Sequence, residues 1–167
     1  MPTRDDGIAG FTDLYQRLVG ERPFVSSLLT GHLAIEFLLR KLIGQYDAKL
    51  IAHADTLRHH ALIGLNLQLG TIDEPQHQVL TDINRLRNKL AHQISYEPTI
   101  EELRLLWRQA GRAFSDLTDG ISQGIEALDA TGNVGAVDGW VFAELFVQIC
   151  YDLHGEYVVR GGDDETF

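Results

Sequence analysis

The sequence predicts an all-α, up-and-down bundle of about six helices. Three observations carry this expectation. Val and Ile are scattered and nowhere alternate with polar residues over a strand's length. Gly and Pro fall between the periodic segments, where a helix would stop or start. Within those segments, apolar residues recur at spacings of three and four, which is the mark of one helical face.

The first helix is expected over about Ile8 to Val19, ending near Gly20. A second starts near Pro23, a residue tolerated in a first helical turn, and runs to about Gln45. Its apolar set, Leu28, Leu29, Ile35, Leu38, Leu39, Leu42 and Ile43, covers a broad face and marks a central helix. The third begins after Asp55, a good N-cap, and ends near Gly70. The fourth opens with Thr71-x-x-Glu74, which has capping-box spacing, or with Asp73 as the cap. It ends before Tyr96, because Pro98 disfavours the α conformation at Glu97.

The fifth opens with a clearer capping box, Thr99-x-x-Glu102. Leu103, Trp107, Ala110, Phe114, Leu117, Ile121 and Leu128 then form a heptad-like stripe, read as one long helix broken only at Gly124. After the turn Thr131 to Gly135, a last apolar helix is expected from about Val137 to His154. Residues 1–160 thus read as a single domain, and 161–167 as a flexible polar tail.

Composition narrows the function classes. The 167 residues suffice to bury a sizeable core, and their 44% hydrophobic and 23% charged content is ordinary for a globular protein. No apolar run is long enough for a transmembrane helix, and the acidic start lacks a signal peptide's basic and apolar regions. The chain is therefore read as cytoplasmic, without a membrane partner. One cysteine, Cys150, sits in an apolar run and reads as a buried structural thiol. The net charge of −10 argues against a broad, sequence-independent nucleic-acid surface. Positive islands nevertheless stand at Arg58 to His60 and Arg85 to Lys89, so a local basic groove is compatible with the acidity.

The fourth helix carries the most informative stretch, RLRNKLAHQ, Arg85 to Gln93. With Ile83 at the centre of a helical wheel, Val79, Leu86, Leu90 and Ile94 fall within about 60° of it. Arg87 lies only about 40° from that apolar centre. A guanidinium there must snorkel, pair with a carboxylate, or face a cleft or a second subunit. Asn84 and Asn88 extend a polar flank. His92 is about 140° from Arg87, so the two meet only if the helix ends or distorts, or if a second copy crosses it. A twofold pair would bring two Arg and two His into one groove. The negative end of the helix dipole stabilises a cation at that point.

RNKLAH, Arg87 to His92, closing a helix after LTDINRL, resembles the Arg-x4–6-His motif of the HEPN superfamily. The upstream segment LLTGHLAIEFLLRKLI, Leu28 to Ile43, resembles an earlier helix of these domains that often carries an acidic residue packed near the motif, here Glu36. The resemblance covers roughly Pro23 to Leu128. It implies an all-α fold and, for many members, metal-independent endoribonuclease activity in toxin–antitoxin or anti-phage systems. Carried over, Arg87 and His92 are the catalytic pair, Asn88 is their polar neighbour, and Glu36 orients Arg87 or the histidine. Arg85, Lys89 and Arg58 are the cations placed to bind RNA phosphates. The expected partners are RNA, a second copy of the chain, and an antitoxin or regulatory protein; no cofactor is implied. Other members are non-catalytic regulators, including mannitol-repressor-like proteins, and an interaction module is the alternative reading. One toxin subgroup continues the motif as His-x-Tyr, a target of antitoxin nucleotidylation. Here His92 is followed by Gln93 and Ile94, with the nearest tyrosine at Tyr96.

Other constellations are weaker. His32 and Glu36, at i and i+4, have the spacing of half a metal site or of a hydrogen-bonded pair; no HExxH motif or Cys/His cluster in the sequence completes a metal site, so no metal is expected. His59 and His60 point about 100° apart, so at most one shares a face with any ligand; with Arg58 they read as a solvated face or, alternatively, as an RNA-phosphate contact. Trp107, Phe114, Trp140, Phe142 and Phe146 read as core or interface. GNVG and RGG lack the strand–loop–helix setting of a phosphate loop.

Overall fold

A computed structural model describes residues 10–166 and contains only helices, turns and loops among them. Eight α-helices follow in order: α1 (Phe11–Val19), α2 (Pro23–Tyr46), α3 (Ile51–Ala54), α4 (His59–Leu69), α5 (Glu74–His92), α6 (Ile100–Ala113), α7 (Gly120–Asp129) and α8 (Gly139–Val159). Single 3-10 turns precede α3 and α8, at Ala48–Leu50 and Val134–Ala136. The count exceeds six because the expected fifth helix is divided and a short α3, not expected from the sequence, precedes the third. Ile8, the expected start of the first helix, lies outside the described residues.

The central helix is α2, which packs on α8, α4 and α5. Leu28, Ile35, Leu39, Leu42 and Ile43 are fully buried along it, and Leu38 nearly so. Leu29, expected on this face, is instead 46% exposed. It belongs to an outer row with Leu33 and Phe37, four residues apart, that faces away from the bundle. The α2–α8 contact is close because position 31 is glycine: a Cβ there would overlap the Phe146 ring.

Local signals explain most boundaries. Asp73 caps α5 with a reciprocal box, its carboxylate accepting from Gln76 N at 2.9 Å while Gln76 Oε1 accepts from Asp73 N at 3.1 Å. Thr71, the other candidate cap, is buried and donates its hydroxyl to Asn66. Thr99 and Glu102 form the box that opens α6. Gly70 adopts φ 67°, the left-handed conformation that ends α4.

Three expectations about boundaries are corrected. The long fifth helix stops at Ala113 and resumes as α7. Between them, Asp116 and Asp119 take φ 53° and 59°, and the Asp116 carboxylate accepts from Ile121 N and Ser122 N. That carboxylate satisfies the first amides of α7, so a new helix starts where the apolar stripe reads as continuous. Phe114, Ile121 and Leu128 stay buried, whereas Leu117 lies in the break and is 68% exposed. The helix expected after Asp55 begins at His59, following the separate short α3. Ile94, assigned to the core stripe, lies beyond the end of α5 and is exposed.

The C-terminal tail folds back on α8. Gly162 N donates to Tyr157 O, and His154 Nε2 lies 3.0 Å from Asp164 Oδ1. Cys150 is half-buried beside the core, and burial pushes its thiol up to about 11, which makes it a poor nucleophile. No described helix is long and apolar enough to cross a membrane.

Candidate functional site

Two histidine-bearing regions meet at α5. The outer one follows from the sequence motif. Helix α5 places Asn84, Arg85, Asn88 and His92 on successive turns, and these residues with His60, Thr81 and Lys89 line an open depression of about 510 Å³. His92 is exposed at the last residue of the helix, and Gln93 takes extended angles immediately after it. Asn88 and His92, at i and i+4, share this face. Arg87 does not line the depression, as the wheel predicts, but it is linked to it: its Nη1 donates to Asn88 Oδ1 at 3.2 Å. One side-chain hydrogen bond thus ties Arg87 to Asn88, and Asn88 shares the wall of the depression with His92.

Arg87 is half-buried, and among the described residues no carboxylate lies within ion-pair distance of it. The other cations nearby are already engaged. Arg85 pairs with Asp82 at 2.7 Å, and Lys89 pairs with Glu102 at 3.2 Å while its ammonium stands over the Tyr96 ring. Arg58 is exposed at the N-terminal boundary of α4, without an ion pair among the described residues. Tyr96 donates its hydroxyl to Glu102 at 3.1 Å; burial raises its pKa, and Glu102 adds to that effect. This nearest tyrosine is thus a structural member of the α5–α6 contact.

The inner region was only half visible in the sequence. His32 and Glu36 project from one face of α2, one turn apart, and His59, the first residue of α4, comes up against both. The His32 and His59 rings stack with centroids 3.7 Å apart. His59 Nδ1 lies 3.3 Å from Glu36 Oε2, and Glu36 Oε1 is held by Arg40, which also donates to Leu57 O. His32 Nε2 lies 3.3 Å from Asn84 Oδ1, so Asn84 belongs to both regions.

This arrangement corrects two expectations. His59 is not on a solvated face: it is only 7% exposed, because the helix starts at this residue and turns it inward, leaving His60 outside. Glu36 orients neither Arg87 nor His92; its partners are Arg40 and His59. Arg40 gave no sequence signal, since a lysine or arginine four residues after a glutamate usually forms a surface pair.

Electrostatics follow from burial. Desolvation pushes His59 down to about 4, with the neighbouring His32 adding to the shift and Glu36 opposing it. Burial also lowers His32; Asn84 opposes this and Arg87 contributes to it. Burial disfavours the Glu36 carboxylate, but Arg40 and then His59 outweigh it and hold the group below the usual carboxylate range. The cluster is thus two neutral rings against one carboxylate. His59 Nε2 is buried without a hydrogen-bond partner.

The chain matches no family model, no curated protein and no solved structure in comparisons with known proteins.

Proposed function

We propose that the chain is a metal-independent endoribonuclease of HEPN type, acting as a homodimer in a toxin–antitoxin or anti-phage setting. The observation that carries this reading is Arg87, a half-buried guanidinium with no carboxylate partner among the described residues, hydrogen-bonded to Asn88 beside an exposed His92. Desolvating a cation costs several kcal/mol in general, and a fold tolerates that where an anion will complete the site. A phosphodiester is such an anion.

The chemistry needs one proton removed and one supplied. A neutral imidazole takes the proton of a ribose 2′-hydroxyl, whose oxygen then attacks the adjacent phosphorus. An imidazolium protonates the departing 5′ oxygen, leaving a 2′,3′-cyclic phosphate and a 5′-hydroxyl. Arg87 offsets the charge that builds on the non-bridging oxygens. Two copies of α5 related by a twofold axis supply two His92 rings for the two proton transfers. The exposed row Leu29, Leu33 and Phe37 on α2 offers apolar surface to such a pairing.

The test is RNA cleavage in chelator, with analysis of product ends. The expected result is a 2′,3′-cyclic phosphate that disappears in both His92→Ala and Arg87→Ala. The second reading, a non-catalytic regulatory or protein-interaction module, is favoured by that same apolar row and by the pairing of Arg85 and Lys89 with carboxylates. Activity that survives His92→Ala unchanged, or no activity at all, decides for it.

A further inference from the structure

We propose that His32, Glu36 and His59 form a binding site for one transition-metal dication of the Zn2+ type, which clamps α4 to α2 beneath α5. The site is separate from the RNA chemistry proposed above and does not depend on it.

The donor set is the first argument. One nitrogen from each ring and one carboxylate oxygen all lie within 4.8 Å of one another. A tetrahedral Zn2+ with bonds of about 2.1 Å holds its ligands roughly 3.4 Å apart. The required contraction is within the reach of side-chain torsions, because the backbone already presents all three groups to one point. Two imidazoles and a carboxylate with a fourth position open are a Zn2+ ligand set in their own right.

Unmet bonding capacity is the second argument. His59 is 7% exposed, its Nε2 has no partner, and an imidazole nitrogen stripped of water without a replacement is costly. His32 is equally buried, at 5% exposed. Core packing alone would be better served by an apolar pair than by two stacked imidazoles and a carboxylate.

The surroundings are the third. Ligand histidines hand their second ring proton to an outer acceptor, and ligand carboxylates are themselves hydrogen-bonded. Asn84 Oδ1 stands 3.3 Å from His32 Nε2, and Arg40 holds Glu36 Oε1, leaving Oε2 directed at His59. Arg40 and Arg87 bring positive charge close to the site, so binding at a single carboxylate is expected to be selective for ions that imidazole favours, Zn2+ over Mg2+ or Ca2+.

The full chain, stripped with chelator and dialysed, is titrated with Zn2+ and, separately, with Co2+ as an optical probe. The expected result is one ion per chain and, at about a hundredfold excess over Kd, a rise in Tm of roughly 5–10 °C. Glu36→Gln and His59→Gln each weaken Zn2+ binding by at least about tenfold. His60→Ala/His92→Ala, which alters only the outer depression, leaves binding unchanged. Should the buried variants fail to fold, X-ray absorption on Zn2+-loaded wild type gives the answer alone: two imidazoles and an oxygen donor support the site. Absence of stoichiometric binding, a shell without two imidazoles, or loss of binding in the His60/His92 variant overturns it.

Discussion

The inner and outer histidine regions are separated by little more than Asn84, yet they are built on opposite terms. In the inner region His32 meets Asn84, Glu36 meets Arg40 and His59, and both rings are buried, with only His59 Nε2 unpartnered. In the outer region His92 is exposed, and among the described residues Arg87 finds a neutral amide and no carboxylate. A largely paired, buried network specifies how helices pack, whereas a cation without a counter-ion beside an exposed imidazole awaits something from outside. The contrast teaches that histidines close in space carry different work according to what already holds them.

The largest expected effect separates the two regions by activity. His92→Ala lowers RNA cleavage by roughly 100-fold or more while changing unfolding free energy by no more than about 0.5 kcal/mol. Cleavage in chelator and urea denaturation measure the two quantities. A large loss of stability would place His92 with the inner region instead.

His59→Ala, in chelator-stripped protein, is the mirror experiment. It removes a buried ring, the stack on His32 and the partner of Glu36, so the unfolding free energy falls by about 2–4 kcal/mol. Unchanged stability would mean that the inner cluster does not hold α4 to α2.

Asn84→Ala tests the boundary. It leaves His32 Nε2 without its acceptor and trims the wall of the depression, at a cost of about 1 kcal/mol. A double-mutant cycle with His32→Ala measures the coupling, and a coupling near zero would show the two regions to be independent.

The smallest effect concerns the frame around the outer region. Glu102 is held below the usual carboxylate range by Thr99, Lys89 and Tyr96, against the opposing effect of burial. A group with a depressed folded pKa contributes stability above its unfolded value and loses it as pH falls through the folded value. Glu102→Gln therefore flattens the acid side of the stability profile, below about pH 4.5, and leaves the neutral side nearly level. A profile with the same acid slope in both proteins would show that the Lys89–Glu102–Tyr96 contact adds nothing to stability.

The outer region was legible in the sequence and the inner one only in part, for a physical reason. Arg87, Asn88 and His92 belong to one helix, whose wheel fixes their relative directions and predicts that Arg87 and His92 diverge. The capping boxes at Asp73 and Thr99 are equally local, hence their clear signatures. The His32–Glu36–His59 cluster joins two helices. The i, i+4 half was visible, but the third member depends on α4 starting at His59 and not earlier, and no residue there makes a side-chain cap that would announce it. A similar limit hid the break after Ala113. The stripe through Phe114, Ile121 and Leu128 is continuous in sequence, and only the left-handed turn at Asp116 and Asp119 shows that the chain reverses.

The close approach of α2 to α8 at Gly31 bears on how such a chain can diverge. Any side chain at position 31 collides with Phe146, so that point of the frame admits no variation without a matching change across the contact. On the opposite side of α2, Leu29, Leu33 and Phe37 are all exposed, and the contact seen at Phe37 is with the flexible Lys41 side chain. The same helix thus holds one edge that must stay fixed and one that is free to be rewritten, and partner choice can drift along the second while the first keeps the bundle unchanged.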